Sequence, residues 1–194
     1  VLHLIGDPAV PKHTYESYGG GVLLVGPDGK VKAVGPAATI LSNNQNVQVV
    51  DYRGRLIVPG FIDSHVHYPQ TEMIGSFGEQ LLEWLNTYTF PTEKQFGNKE
   101  YARGVARTFI GELVRNGTTT ALVMGTVHPE SVDALFEEAA TRNMRIIAGK
   151  VMMDRNAPDY LLDTPETSYA DSKPLLQPWH KPGPALDAVT PRFP

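Results

Sequence analysis

The chain has 194 residues, 17 Lys and Arg against 21 Asp and Glu for a formal net charge of −4, and no cysteine. This balance carries no basic footprint for nucleic acid and no polybasic run for a membrane surface. Without a thiol there is no disulfide framework, thiolate zinc site or cysteine nucleophile.

Apolar residues make up 41% of the chain and charged residues 20%, which fits a globular chain with a buried core. No stretch approaches the ~20 apolar residues of a transmembrane helix. Val1-Leu2-His3-Leu4 is not a charged segment leading into an apolar one, so no signal peptide is expected. Up to Val58 the patterning predicts short strands. Gly21 to Gly26 is an apolar, β-branched run, and Pro27-Asp28-Gly29-Lys30 is a hairpin turn. Lys30 to Gly35 alternates polar and apolar residues. Val47 to Tyr52 and Arg55 to Val58 are two further strand candidates. Residues 1–58 therefore predict a small β-sandwich segment or an open sheet.

From Pro59-Gly60 onward strands alternate with helices. Phe61 to His67 is a strand that ends in polar residues. Glu100 to Asn116 is an amphipathic helix closed by Gly117. Thr118 to Met124 is a strand, Pro129 to Thr141 a helix, and Arg145 to Met153 a third strand. Thr164 and Pro165 open another helix as N-cap and first residue, and Ala188-Val189-Thr190 is a fourth strand. The alternation predicts a parallel α/β arrangement. A closed eight-stranded barrel takes roughly 250 residues, so residues 59–194 hold either a short open α/β domain or about four βα units of a barrel.

The strongest chemical signal is His65-Val66-His67 at the end of the first α/β strand. Residues i and i+2 of a strand share a face, so both imidazoles can meet one metal ion; Asp63 has the same parity. Two chance surface histidines are the plainer alternative. His128, before a helix, reads as a capping or surface group, and His180 lies before the fourth strand.

Val58-Pro59-Gly60-Phe61-Ile62-Asp63-Ser64-His65-Val66-His67 closely resembles the opening signature of the amidohydrolase superfamily. Its members wrap a small β-sandwich around a (β/α)8 barrel. Within that superfamily the chain resembles the guanine deaminases, through His67-Tyr68-Pro69-Gln70, Leu81 to Glu93, Asn116 to Ala121, Lys150 to Asn156 and Thr190-Pro191-Arg192-Phe193.

The resemblance implies the N-terminal part of the barrel, with one zinc ion (iron being possible) held by His65 and His67. It implies that His67, Gln70, Arg192 and Phe193 contact the purine. A Gln amide offers two donors and an acceptor to an amide-like ring edge. An Arg fork can donate to a carbonyl oxygen or ring nitrogen, and a Phe can cover the ring plane. The implied activity is hydrolysis of guanine to xanthine and ammonia by a cytoplasmic homodimer without nucleic-acid or membrane partners. The family's remaining metal ligands and its catalytic Glu and Asp are expected beyond residue 194, so the chain as given contains no proton-transfer residue. Two other readings stand beside this one: an amidohydrolase for another amino-heterocycle, such as a triazine, and a non-catalytic piece. Trp84, Asp154, Arg155 and Asn156 carry no assigned role.

Overall fold

The computed structural model describes residues 1–192 apart from 8, 11, 12, 79, 181 and 182. It divides into two compact units, Val1–Pro59 and Gly60–Pro194.

In the first unit β1 (Leu2–Leu4) pairs antiparallel with β2 (Tyr15–Ser17). β3 (Gly21–Val25) pairs antiparallel with β4 (Val31–Pro36), and a short helix α1 (Ala37–Ser42) follows. The hairpin follows its sequence pattern, with Gly29 at φ +71° in the turn, a backbone state that glycine adopts without steric cost. The strands expected over 47–52 and 55–58 do not form. Their β-branched residues find no ladder partner among the described residues, and Val49, Val50 and Leu56 stay exposed. Ile57 accepts a single backbone bond from Leu2. The first unit therefore holds two antiparallel strand pairs, while 47–52 and 55–58 stay irregular because strand propensity needs a pairing edge to become a strand.

The second unit is built on a parallel sheet ordered β5 (Phe61–His67), β6 (Thr118–Met124), β7 (Arg145–Gly149) and β9 (Ala185–Asp187). The connections carry α4 (Lys99–Arg115), α5 (Pro129–Thr141) and α6 (Pro165–Trp179). This is the order of a partial (β/α) barrel. Two of these helices start on side-chain caps. Asn98 accepts from the amides of Glu100 and Tyr101, and Thr164 forms a reciprocal capping box with Thr167. Gly117, at φ +83°, takes the left-handed turn that ends α4.

Between sheet and helices lies the main core, with Ala121, Val123, Ile146 and Ala148 facing Phe109, Ile110, Leu135 and Phe136. Each large side chain buried here contributes roughly 1.5–3 kcal/mol. Val66 packs against this core, so the histidines on either side of it lie on the opposite face of β5.

Two expected strands are interrupted. The third breaks at Lys150, with β8 (Val151–Met152) resuming after it. The fourth runs as β9 and then β10 (Thr190–Pro191), so Ala188 and Val189 are a gap rather than strand. The lysine side chain turns into the protein, and the Ala188 carbonyl presses against Gly149 so closely that a Cβ there would sit 1.8 Å from its oxygen. Gly60 serves a similar end, since a Cβ would meet the Thr119 side chain at 2.1 Å.

Between β5 and α4 a helical run changes pitch from α2 (Leu81–Trp84) through a wide turn (Leu85–Thr89) to α3 (Phe90–Glu93) and a tight turn (Lys94–Gly97). Leu85 is buried, whereas Leu81 and Leu82 are exposed.

Candidate active site

β5 delivers its histidines at the C-terminal edge of the sheet, the end at which α/β sites are built. The strand is not regular. Its register against β6 slips between Asp63 and Val66, where three steps of β5 match two of β6. This bulge breaks the expected parity of Asp63 with the histidines. The Asp63 carboxylate instead accepts from the backbone amide of His65 at 3.1 Å, and no cluster of three or more metal-capable side chains forms among the described residues.

His65 and His67 do converge, with their Nε2 atoms 3.3 Å apart. Two nitrogens held ~2.0–2.1 Å from one tetrahedral ion lie about 3.3–3.4 Å apart, so the pair has the spacing of two ligands on one metal. The Nδ1 of His67, on the far side of its ring from that pair, is buried without a hydrogen-bond partner among the described residues. Burial first, then the positive charge of Arg192 and then His65, hold His67 down to about 4, so its ring is neutral as coordination requires.

The chain after His67 is anchored by Tyr68. Its ring lies edge-on to Phe96, and its hydroxyl donates to the Ser131 carbonyl at 2.6 Å. This fixes the tight turn Tyr68–Met73 that carries Gln70. Gln70, His65 and His67 line one cavity of about 600 Å³. Trp84 forms part of its wall and donates through Nε1 to the Ser76 carbonyl at 3.1 Å.

Arg192 follows β10 at the same edge of the sheet, and its amide donates to the Met152 carbonyl. Its side chain lines a smaller cavity of about 150 Å³ with Met153, Asp154 and Ser168, and it reaches His67 through its charge. The structure thus brings His65, His67 and Gln70 into one cavity and sets Arg192 beside it. Phe193 lies outside the described residues. Asp154 and Arg155 pair with each other at the surface, and Asn156 turns the chain at φ +56°. His128 is the half-buried N-cap of α5 but its side chain makes no capping bond; its buried Nε2 has no partner among the described residues.

Sequence reasoning missed two ion pairs. Glu93, fully buried, receives Arg192 Nη1 at 2.7 and 3.0 Å on its two oxygens. Lys150, 1% exposed, closes on Asp163 Oδ2 at 2.5 Å, and Thr190 donates to the Lys150 carbonyl. A signal existed for Lys150, a lone charge between Ile146-Ile147-Ala148-Gly149 and Val151-Met152-Met153; Glu93 stands in the polar run Thr92-Glu93-Lys94-Gln95 and carried none.

The chain belongs to the amidohydrolase family, whose profile matches residues 56–186. Guanine deaminases stand among its relatives. That of Escherichia coli (strain K12) is 68% identical over 147 residues, 76% of this chain and 34% of that protein. The solved structure of E. coli guanine deaminase superposes with a TM-score of 0.91 at 55% identity, covering 100% of this chain and 45% of that one. Guanine deaminase from C. acetobutylicum, solved with guanine bound in its active site, gives a TM-score of 0.83 at 31% identity over 100% of this chain and 47% of that one. The chain spans about a third to just under half of the length of these relatives.

Proposed function

We propose that the full-length protein is a zinc-dependent guanine deaminase that hydrolyses guanine to xanthine and ammonia. The observation that carries this reading is the His65–His67 pair, its nitrogens 3.3 Å apart, opening on the cavity that Gln70 also lines. The guanine deaminases among its relatives support the substrate. The reading includes a role in purine catabolism, in the cytoplasm, as a homodimer. Among the described residues no helix is long and apolar enough to cross a membrane.

In the reaction the exocyclic C–N bond of the ring breaks, a C–O bond forms, and the nitrogen leaves as ammonia. A bound zinc or iron ion would supply Lewis acidity that makes water a nucleophile near neutral pH. His65 and His67 would hold the ion, and burial keeps His67 unprotonated for that task. His67 also borders the ring. Gln70 pairs with the amide-like edge of the purine, Arg192 donates to its carbonyl oxygen or a ring nitrogen, and Phe193 covers its plane.

The test uses the purified full-length protein, measuring metal content and ammonia release from guanine together. The expected result is roughly one zinc per chain, with turnover lost on chelation and restored by zinc. Preference for an amino-triazine or another aminopurine would move the reading to a different heterocycle. Turnover that survives complete metal removal would overturn it.

A further inference from the structure

The buried pair between Glu93 and Arg192 has a geometry that stability alone does not explain. A buried ion pair is often no more stabilising than apolar residues of the same volume, and in some proteins its use is to fix one arrangement. Glu93 closes α3, on the helical run that also presents Trp84 to the cavity. Arg192 lies 99 residues further along the chain, after the fourth strand of the barrel. The pair therefore ties the wall that follows β5 to the end of β10.

The guanidinium is held from several sides. Nη1 donates to both carboxylate oxygens of Glu93, at 2.7 and 3.0 Å. The ring of Phe90 lies 5.8 Å from the guanidinium carbon, and the Arg192 backbone is pinned to Met152. Glu93 is fully buried and the Arg192 side chain is 9% exposed, so water does not loosen the contact. A long arginine held in this way has lost its rotamer freedom before any ligand arrives, the condition under which a hydrogen bond to a ring discriminates best.

We propose that Glu93 is a positioning residue for substrate recognition: by gripping Arg192 it sets the direction in which that guanidinium meets a neutral, carbonyl-bearing heterocycle. The inference rests on Arg192 being the ring contact of the proposed function.

The test compares Glu93→Gln, Arg192→Gln and the double variant in the full-length, metal-loaded protein, with guanine as substrate and a thermal melt for each. Glu93→Gln is expected to raise KM about tenfold while kcat stays within about threefold; the melt falls in Glu93→Gln and in Arg192→Gln alike, since each leaves one partner of a buried pair without its countercharge, so the split between KM and kcat carries the test. Arg192→Gln should raise KM at least as much, and the double variant should be no worse than Arg192→Gln alone, because Glu93 acts only through Arg192. If Arg192→Gln raises KM and Glu93→Gln does not, the positioning role is wrong and the Arg192 contact stands. If Arg192→Gln leaves KM unchanged, the Arg192 contact fails and this inference fails with it. Multiplying effects in the double variant would show Glu93 acting on its own and would also overturn it. Should Glu93→Gln not fold, Glu93→Asp keeps the charge but draws the carboxylate back by one methylene. A smaller rise in KM is then expected, and wild-type values would count against the inference.

Discussion

At the end of β5, His67 keeps a buried ring nitrogen without a partner among the described residues, while its other nitrogen faces His65 at 3.3 Å. Across the same sheet edge, after β7 and β10, the charges are already matched. Lys150 closes on Asp163 at 2.5 Å and Arg192 on Glu93 at 2.7 Å. One side presents a buried ring nitrogen without a partner among the described residues; on the other, each of these charges already has a countercharge. In the proposed reading the first holds an ion and the second fixes the direction of Arg192, and substitutions should separate the two.

The largest effect falls on the open side. His67→Ala or His65→Ala in the full-length protein should remove bound metal and turnover together. Loss of an outer hydrogen-bond partner of a ligand costs 10–100-fold in metal affinity, so loss of a ligand is expected to exceed about 100-fold. Metal analysis after gel filtration reads this directly, and a variant that retained its ion would dissolve the contrast. On the closed side, Lys150→Met should leave folding, not metal, as the casualty. Removing one partner of a buried pair costs about 3–5 kcal/mol, while replacing both, as in Lys150→Met with Asp163→Leu, recovers much of it. Urea denaturation checks both variants.

A smaller effect depends on pH. His67 titrates near 4 in the folded chain against an ordinary 6.5. On unfolding, the ring takes up a proton that the folded chain refuses. Its contribution to stability is thus fully present above pH 6.5 and is lost as the pH falls toward 4. In chelated protein the urea midpoint should fall across that interval, and His67→Gln should flatten the fall. The smallest effect is expected at the surface. Arg155→Ala breaks an exposed pair and should leave the denaturation midpoint and the KM for guanine unchanged. A shift in KM there would extend the site beyond the two sides described.

Much of this arrangement is legible in the order of the residues. The strand Thr118–Met124 and the helix Pro129–Thr141 have the boundaries their apolar periods mark. In each, the burial pattern and the residues at its ends agree. His65 and His67 are legible because two imidazoles at i and i+2 on a strand end share a face whatever surrounds them. The stretch 47–58 has the right residue types for strands and forms none. Residue type sets a preference, and a strand exists only where another edge completes its ladder.

Local pattern alone dictates the alternation of strand and helix, the end of the sheet where polar residues collect, and the two histidines that meet there. All of these follow from periods of a few residues and from local capping chemistry. Long-range packing was needed to slip the register of β5 between Asp63 and Val66, to interrupt a strand so that Lys150 reaches Asp163, and to bring Glu93 onto Arg192. Those outcomes depend on which charge finds which partner once the interior has excluded water. For Glu93 and Arg192 that choice is made across 99 residues of chain, beyond the reach of any local pattern.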